Sequence, residues 1–251
     1  LTDHGIKLDC GDSSLTSGES NLAYRAARLF LDYTGANVGV DMRLTKRIPM
    51  QAGLGGGSSD AAAVLRGLNR LCGRPLDAEK LCRLGAKLGA DVPYCIMRGT
   101  ALSEGIGEIL TELPAPPQCH LVIAKPQISV STKAVYGKLR VNELAPEEHP
   151  DIDGMMAAIK NGDLDGVIER LGNVLETVTV PDHPEIAEIK EMMMENGACG
   201  SLMSGSGPTV FGIYKDRELA EKACQALREA DGGRLTRQVY LTEFYNRKKA
   251  R

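Results

Sequence analysis

Tryptophan is absent, and aromatic residues make up only 4% of the chain. A chain this poor in rings has little on which unpaired bases could stack, so no single-stranded nucleic-acid surface is expected. A basic excess is also missing: 30 Lys and Arg face 33 Asp and Glu, for a formal net charge of -3. Neither a nucleic acid nor an anionic membrane is an expected partner. No run of 18 apolar residues occurs, so no membrane span is expected. The start, Leu1-Thr2-Asp3-His4-Gly5, lacks a basic segment followed by an apolar one, and no signal peptide is expected there. The four histidines, at 4, 120, 149 and 183, have no ligand spacing, so no metal site built from side chains is expected. Seven cysteines form no CxxC pair, and their odd number suits free thiols in a reducing cytoplasm.

What is present suits an ordinary folded protein. With 251 residues, 43% hydrophobic and 25% charged, the chain can bury one large core or two smaller ones. Strands are predicted at 5–10, entering a turn at 11–13, and at 38–44. A helix is predicted from Asn21 to about Thr34, where Leu22, Ala26, Leu29 and Phe30 recur at helical spacing and Gly35 ends the pattern. Further helices are predicted at 59–71 and 76–88, with a glycine-rich extended piece at 99–111. Pro114-Ala115-Pro116-Pro117 is the best linker. Beyond it come a strand at 120–124, helices at 131–140, 151–159, 163–176 and 184–195, a strand at 208–213, a helix at 216–229 and a strand at 235–241. The basic tail at 247–251 reads as a solvated end. The elements alternate without a regular βα period, so two α+β domains are expected, 1–116 and 117–251.

The glycines concentrate where chemistry could occur. Gly53-Leu54-Gly55-Gly56-Gly57-Ser58-Ser59-Asp60 runs straight into Ala61-Ala62-Ala63-Val64-Leu65. Four glycines in five residues cost backbone entropy, which is useful where amides must approach a ligand closely. The first amides of the helix are unsatisfied, and with the helix dipole they attract an anion. Ser58 and Ser59 add hydroxyls suited to phosphate oxygens or a magnesium ion. Ser59 or Asp60 could instead serve as a simple helix cap. The loop lacks the lysine of GxxxxGK[ST], so it is not a Walker A motif. A second glycine turn, Gly205-Ser206-Gly207, allows close backbone packing ahead of the 208–213 strand.

Residues 46–65, KRIPMQAGLGGGSSDAAAVL, resemble the nucleotide phosphate loop of the GHMP kinases, and GGGSSDAA resembles their diphosphocytidyl-methylerythritol kinase branch. NLAYRAA at 21–27, GADVPYC at 89–95, GTALSEGIGE at 99–108, KPQISVSTKAVY at 125–136 and MSGSGPTVFG at 203–212 follow the same order. The resemblance covers nearly the whole chain. The family opens with an AKINL-like strand and a GYH-like segment that have no counterpart here, so the match is expected to begin shortly before Asn21.

The resemblance implies an α+β fold with a ribosomal-protein-S5-domain-2-like N-terminal domain and a ferredoxin-like C-terminal domain. It implies ATP as cosubstrate and magnesium, which two anionic reactants require. It implies transfer of the γ-phosphoryl group to the 2-hydroxyl of a cytidyl-methylerythritol substrate by a monomer or weak homodimer. Another GHMP small-molecule kinase, or an inactive nucleotide-binding relative, remains the alternative. The family's catalytic aspartate falls on Asp91, which could otherwise be a turn or helix cap. Gly53, Leu54, Gly55, Gly56, Gly57, Ser58 and Ser59 fall on the nucleotide loop, and Gly205, Ser206 and Gly207 on the second glycine motif. Asp60 could support the loop or the metal, or cap the helix. Ser131 and Thr132 fall on the substrate side. Lys125 could stand near phosphates or be solvated.

Overall fold

The computed structural model describes residues 1–3, 5–11 and 15–245. Part of the turn predicted at 11–13 and the basic tail at 247–251 lie outside the described residues. Two units separate: residues 1–50 with 55–112, and residues 51–54 with 113–251.

The first unit begins with strand β1, Ile6–Asp9, and helix α1, Leu22–Thr34. The Asn21 side chain accepts from the Ala23 amide at the start of α1, and Gly35 ends the helix in the left-handed conformation. Strand β2, Val40–Arg43, pairs with β1 in parallel, Ile6 opposite Val40 through Asp9 opposite Arg43. A parallel pair needs a crossover, and α1 is part of it. Helix α2, Gly56–Leu71, comes next. Ala26 and Ala27 of α1 share a buried cluster with Ala61 and Ala62 of α2, around Phe30 and Leu65. Side chains this short let two helices approach closely. Helices α3, Ala78–Ala86, and α4, Val92–Met97, close that core with Leu81, Leu84, Val92 and Ile96. Strands β3, Thr100–Glu104, and β4, Ile109–Leu113, pair with each other where the sequence suggested one extended piece.

The second unit holds strand β5, His120–Pro126, then helices α5, Thr132–Lys138, α6, Ile152–Asn161, α7, Leu164–Glu169, α8, Glu176–Asp182, and α9, Glu185–Glu195. Strands β6, Gly200–Met203, and β7, Val210–Tyr214, helix α10, Arg217–Glu229, and strand β8, Thr236–Glu243, follow. The sheet order is β6-β7-β5-β8, with every neighbouring pair antiparallel. This is the split βαβ arrangement of a ferredoxin-like domain. Strand alternation divides its faces. Val122, Ala124, Val210 and Tyr214 pack with α9 and α10 through Ile186, Ile189, Met193, Ala223 and Leu227. Leu121 and Ile213 face the other way, against Leu164, Ile168 and Leu171.

Two local expectations are corrected. The helix predicted at 163–176 ends at Glu169, and a separate helix starts at Glu176; between them the Asn173 side chain reaches the carbonyls of Met203 and Gly205. Strand β6 was not predicted. Its sequence, Gly-Ser-Leu-Met, has weak strand character, and it is held by pairing Gly200 with Ile213 through Met203 with Val210.

Candidate functional site

In the first unit, α2 starts at Gly56, three residues before the sequence pattern indicated. Gly55 occupies the N-cap position with φ 60° and ψ 22°, and no side chain caps the helix. Glycine takes this left-handed conformation without a Cβ penalty. The first helical hydrogen bond is Ser59 N–H to the Gly55 carbonyl at 2.8 Å. The amides of Gly56, Gly57 and Ser58 therefore have no acceptor within the helix. Neither Ser59 nor Asp60 is the cap. Both sit inside the helix, and the Asp60 carboxylate pairs with the Lys46 ammonium. The two side chains are 20% and 14% exposed, so this pair is shielded far more than an ordinary surface ion pair. A Cβ on Gly56 would stand 3.1 Å from Lys46 Nζ, which puts the pair directly beside the glycine-rich start of the helix. Lys46 was missed as a site residue. The basic run before the loop was the available signal, but nothing local links it to an acid 14 residues later.

Asp91 lies at the N-cap position of α4, exposed, and makes no side-chain cap. Its carboxylate has no hydrogen bond or ion pair among the described residues. The contrast with other aspartates is informative: Asp77, Asp151, Asp163 and Asp216 each accept from an amide of the helix they open. Cys95, one turn further along α4, has its thiol pushed up to about 11, first by burial and then by the charges of Asp91 and Asp60. Both carboxylates thus raise one half-buried thiol, while Lys46, Asp60 and the open start of α2 stand side by side.

In the second unit, the Ser204–Gly207 turn joins β6 to β7. Ser204 N–H donates to Thr209 O at 2.8 Å, and Gly207 N–H to Ser204 O at 2.9 Å. Gly53 belongs to this unit, and Ser204 Oγ donates to its carbonyl at 2.9 Å. A Cβ on Gly53 would lie 2.2 Å from Ser204 O and 3.0 Å from Gly207 O, at φ +70°. Only glycine fits there. Leu54, next along the chain, is half-buried. The hydroxyls of Thr132 and Ser206 are 2.8 Å apart. Thr132, Gly53, Gly205, Ser206 and Gly207 are therefore brought together. Ser131 instead caps α5, accepting from Ala134 N at 3.4 Å. Lys125 donates to the carbonyls of Pro126 and Ile128 at 3.1 and 2.9 Å, and burial lowers its pKa. It pins its own loop. A groove of about 480 Å³ lies elsewhere in this unit, lined by Glu176, Val180, Lys190 and Met194, and contains none of the predicted site residues.

Among the described residues no helix is long and apolar enough to cross a membrane, and no cluster of three or more His, Cys, Asp or Glu could hold a metal.

Residues 21–99 match the family model for the GHMP kinases N terminal domain, and 155–232 that for the GHMP kinases C terminal. A relative from Lachnoclostridium phytofermentans, named 4-diphosphocytidyl-2-C-methyl-D-erythritol kinase, is 49% identical over 93% of this chain and 79% of its own length. One of the same name from Lachnospira eligens is 48% identical over 98% and 83%. A crystal structure of 4-(cytidine 5'-diphospho)-2C-methyl-D-erythritol kinase superposes with a TM-score of 0.79 at 34% identity, covering 97% of this chain and 82% of that one. The homoserine kinase of Cytophaga hutchinsonii, at 21% identity and a TM-score of 0.81, shares the fold over 96% of this chain and 82% of its own. This chain belongs to the GHMP kinase family, a family of ATP-using enzymes, in the branch of the 4-diphosphocytidyl-2-C-methyl-D-erythritol kinases.

Proposed function

We propose that this chain transfers the γ-phosphoryl group of ATP to the 2-hydroxyl of 4-diphosphocytidyl-2-C-methyl-D-erythritol, in the synthesis of isoprenoid precursors without mevalonate. The observation that carries the reading is the identity of 45–49% to relatives of that name over 87–98% of the chain. In this reading residues 1–116 form the ATP-binding domain and 117–251 the C-terminal domain of a cytoplasmic monomer or weak homodimer.

The substrate oxygen attacks the γ-phosphorus, the bond to the β-phosphate oxygen breaks, and ADP leaves. Phosphoryl transfer needs positioning and charge stabilisation more than covalent help. Asp91 is the proposed acceptor of the hydroxyl proton. An exposed carboxylate with no competing partner suits that task. The segment Gly53–Ser59, with the open amides of Gly56, Gly57 and Ser58, is the proposed phosphate cradle. Asp60, paired with Lys46, supports it. Gly205, Ser206 and Gly207 are proposed to add donors for the nucleotide, and Thr132 to serve the substrate side. Ser131 and Lys125 serve it through the backbone they hold. Magnesium fits this site as an ion carried by the nucleotide phosphates, with the hydroxyls of Ser58 and Ser59 as neighbouring oxygen donors, and would neutralise charge there.

The test is ADP release with ATP, magnesium and the cytidyl substrate, beside galactose, homoserine and mevalonate. Release with the cytidyl substrate alone is the expected result. Release with a different acceptor would overturn the substrate, and no release with any would overturn the activity.

A further inference from the structure

The two glycines of the turn after β6 bring no side chain to hold its shape. Gly205 and Gly207 both have positive φ, at 55° and 82°, and glycine gives up more backbone freedom than any other residue. Three side chains from one segment grip it instead. Asn173 Nδ2 donates to Met203 O at 2.9 Å and to Gly205 O at 2.8 Å. Glu176 Oε1 accepts from Met203 N at 2.7 Å, and its other oxygen is held by Lys190 at 2.5 Å. The hydroxyl of Thr179, only 1% exposed, donates to Ser206 O at 3.3 Å. The amide of Asn173 has one workable orientation. Its oxygen accepts from Leu175 N at 3.0 Å, and two carbonyls face its nitrogen.

This grip has a directional consequence. In a trans peptide the C=O and N–H point opposite ways. Drawing the Gly205 carbonyl onto Asn173 turns the Ser206 N–H away from the 173–179 segment. The Ser204 carbonyl, occupied by Gly207 N–H, likewise turns the Gly205 N–H outward. Neither the Gly205 nor the Ser206 amide has an acceptor among the described residues.

We propose that Asn173, with Glu176 and Thr179, is the positioning element of the second glycine turn, and that by presenting the Gly205 and Ser206 amides it sets the affinity for the nucleotide. This rests on the kinase reading above. Asn173 touches no reacting atom. It acts through the turn, so its loss appears in nucleotide affinity and not in the chemical step.

The experiment compares wild type, Asn173→Ala and Asn173→Asp by calorimetric titration with ADP and by steady-state kinetics. Aspartate keeps the acceptor for Leu175 N and loses both donors to the turn. Expected is a rise of about tenfold in the ADP Kd and ATP KM for both variants, equivalent to ~1.4 kcal/mol. The KM for the acceptor should stay within about twofold and kcat within about threefold. If Asn173 only starts α8, Asn173→Asp will bind ADP like wild type, which overturns the proposal. A uniform fall in kcat at unchanged ADP affinity overturns it as well. Should either variant fail to fold, Thr179→Val against Thr179→Ser carries the test, with weaker ADP binding expected for valine alone and equal binding overturning the idea. A wild-type chain that binds ADP but phosphorylates no acceptor refutes the kinase reading and leaves the affinity comparison decisive. A wild-type chain that binds no nucleotide overturns both.

Discussion

Asp91 opens a helix without capping it, and that frees a carboxylate at an exposed position. Removing its charge should therefore disturb the fold very little, because exposed side chains without partners usually contribute within about 0.5 kcal/mol. Asp91→Asn is expected to keep the wild-type melting temperature to within about two degrees. Its kcat is expected to fall by about a hundredfold or more, the range of a lost general base. Thermal melts alongside ADP release check both halves, and near-normal turnover would remove Asp91 from the proposed chemistry. Asp91 was proposed from the sequence because it sits in a contiguous motif, Gly89-Ala90-Asp91-Val92-Pro93. Lys46 and Asn173 were not. Lys46 meets its acid 14 residues away and Asn173 meets its carbonyls 30 and 32 residues away. Neither distance leaves a local pattern. The same limit applied to Lys125, whose charge was legible but whose acceptors, two carbonyls of its own loop, were not.

At the scale of elements, periodicity located the long helices well and failed where tertiary contacts override propensity. Helices α1 and α10 carry clean apolar stripes and side-chain caps, and were read nearly to their ends. The start of α2 was misplaced because glycines are poor helix formers. Their place in its first turn leaves the helix without a side-chain cap, its first hydrogen bond running from Ser59 N–H to the Gly55 carbonyl. Two glycines of that loop separate close packing from backbone conformation. At Gly55 a Cβ would meet nothing within 4 Å, so Gly55→Ala adds only the left-handed strain, ~1–2 kcal/mol. At Gly53 the same atom would collide with the Ser204 carbonyl at 2.2 Å, on top of a positive φ. That carbonyl cannot retreat without disturbing its bond from Gly207 N–H. Gly53→Ala is expected to lower the melting temperature by several degrees more than Gly55→Ala, at about 2–4 °C per kcal/mol in a chain of this size. It should also raise the ATP KM by about tenfold. Melts and ATP titrations of the two variants, run together, decide the point. Equal effects would mean that Gly53 and the second glycine turn do not pack as described.

Over the whole molecule, thiols held wholly or partly out of water give stability a particular dependence on pH. Cys95 in the first unit is pushed up to about 11 by burial, with help from Asp91 and Asp60. Cys119 in the second is also pushed up to about 11, by burial first and then by Glu243 and Cys199. Burial raises Cys82, Cys224 and Tyr214 in the same direction. In the unfolded chain these thiols return to an ordinary value near 9. Between about pH 9 and about pH 11 the unfolded chain therefore gives up protons that the folded chain keeps, and the equilibrium moves toward unfolding. The contribution is full below pH 9 and is lost as pH rises through 11. Other groups also change charge across this window, so the total slope alone does not isolate the thiols. The comparison that does is between wild type and a Cys95→Ala, Cys119→Ala double variant, melted under reducing conditions from pH 7 to pH 11. The wild-type melting temperature should bend downward from about pH 9, and the double variant should follow a shallower curve there while running parallel below pH 8. Superimposable slopes across the window would show that the two sulfurs are as accessible folded as unfolded, and would contradict the partial burial of Cys95 and the burial of Cys119.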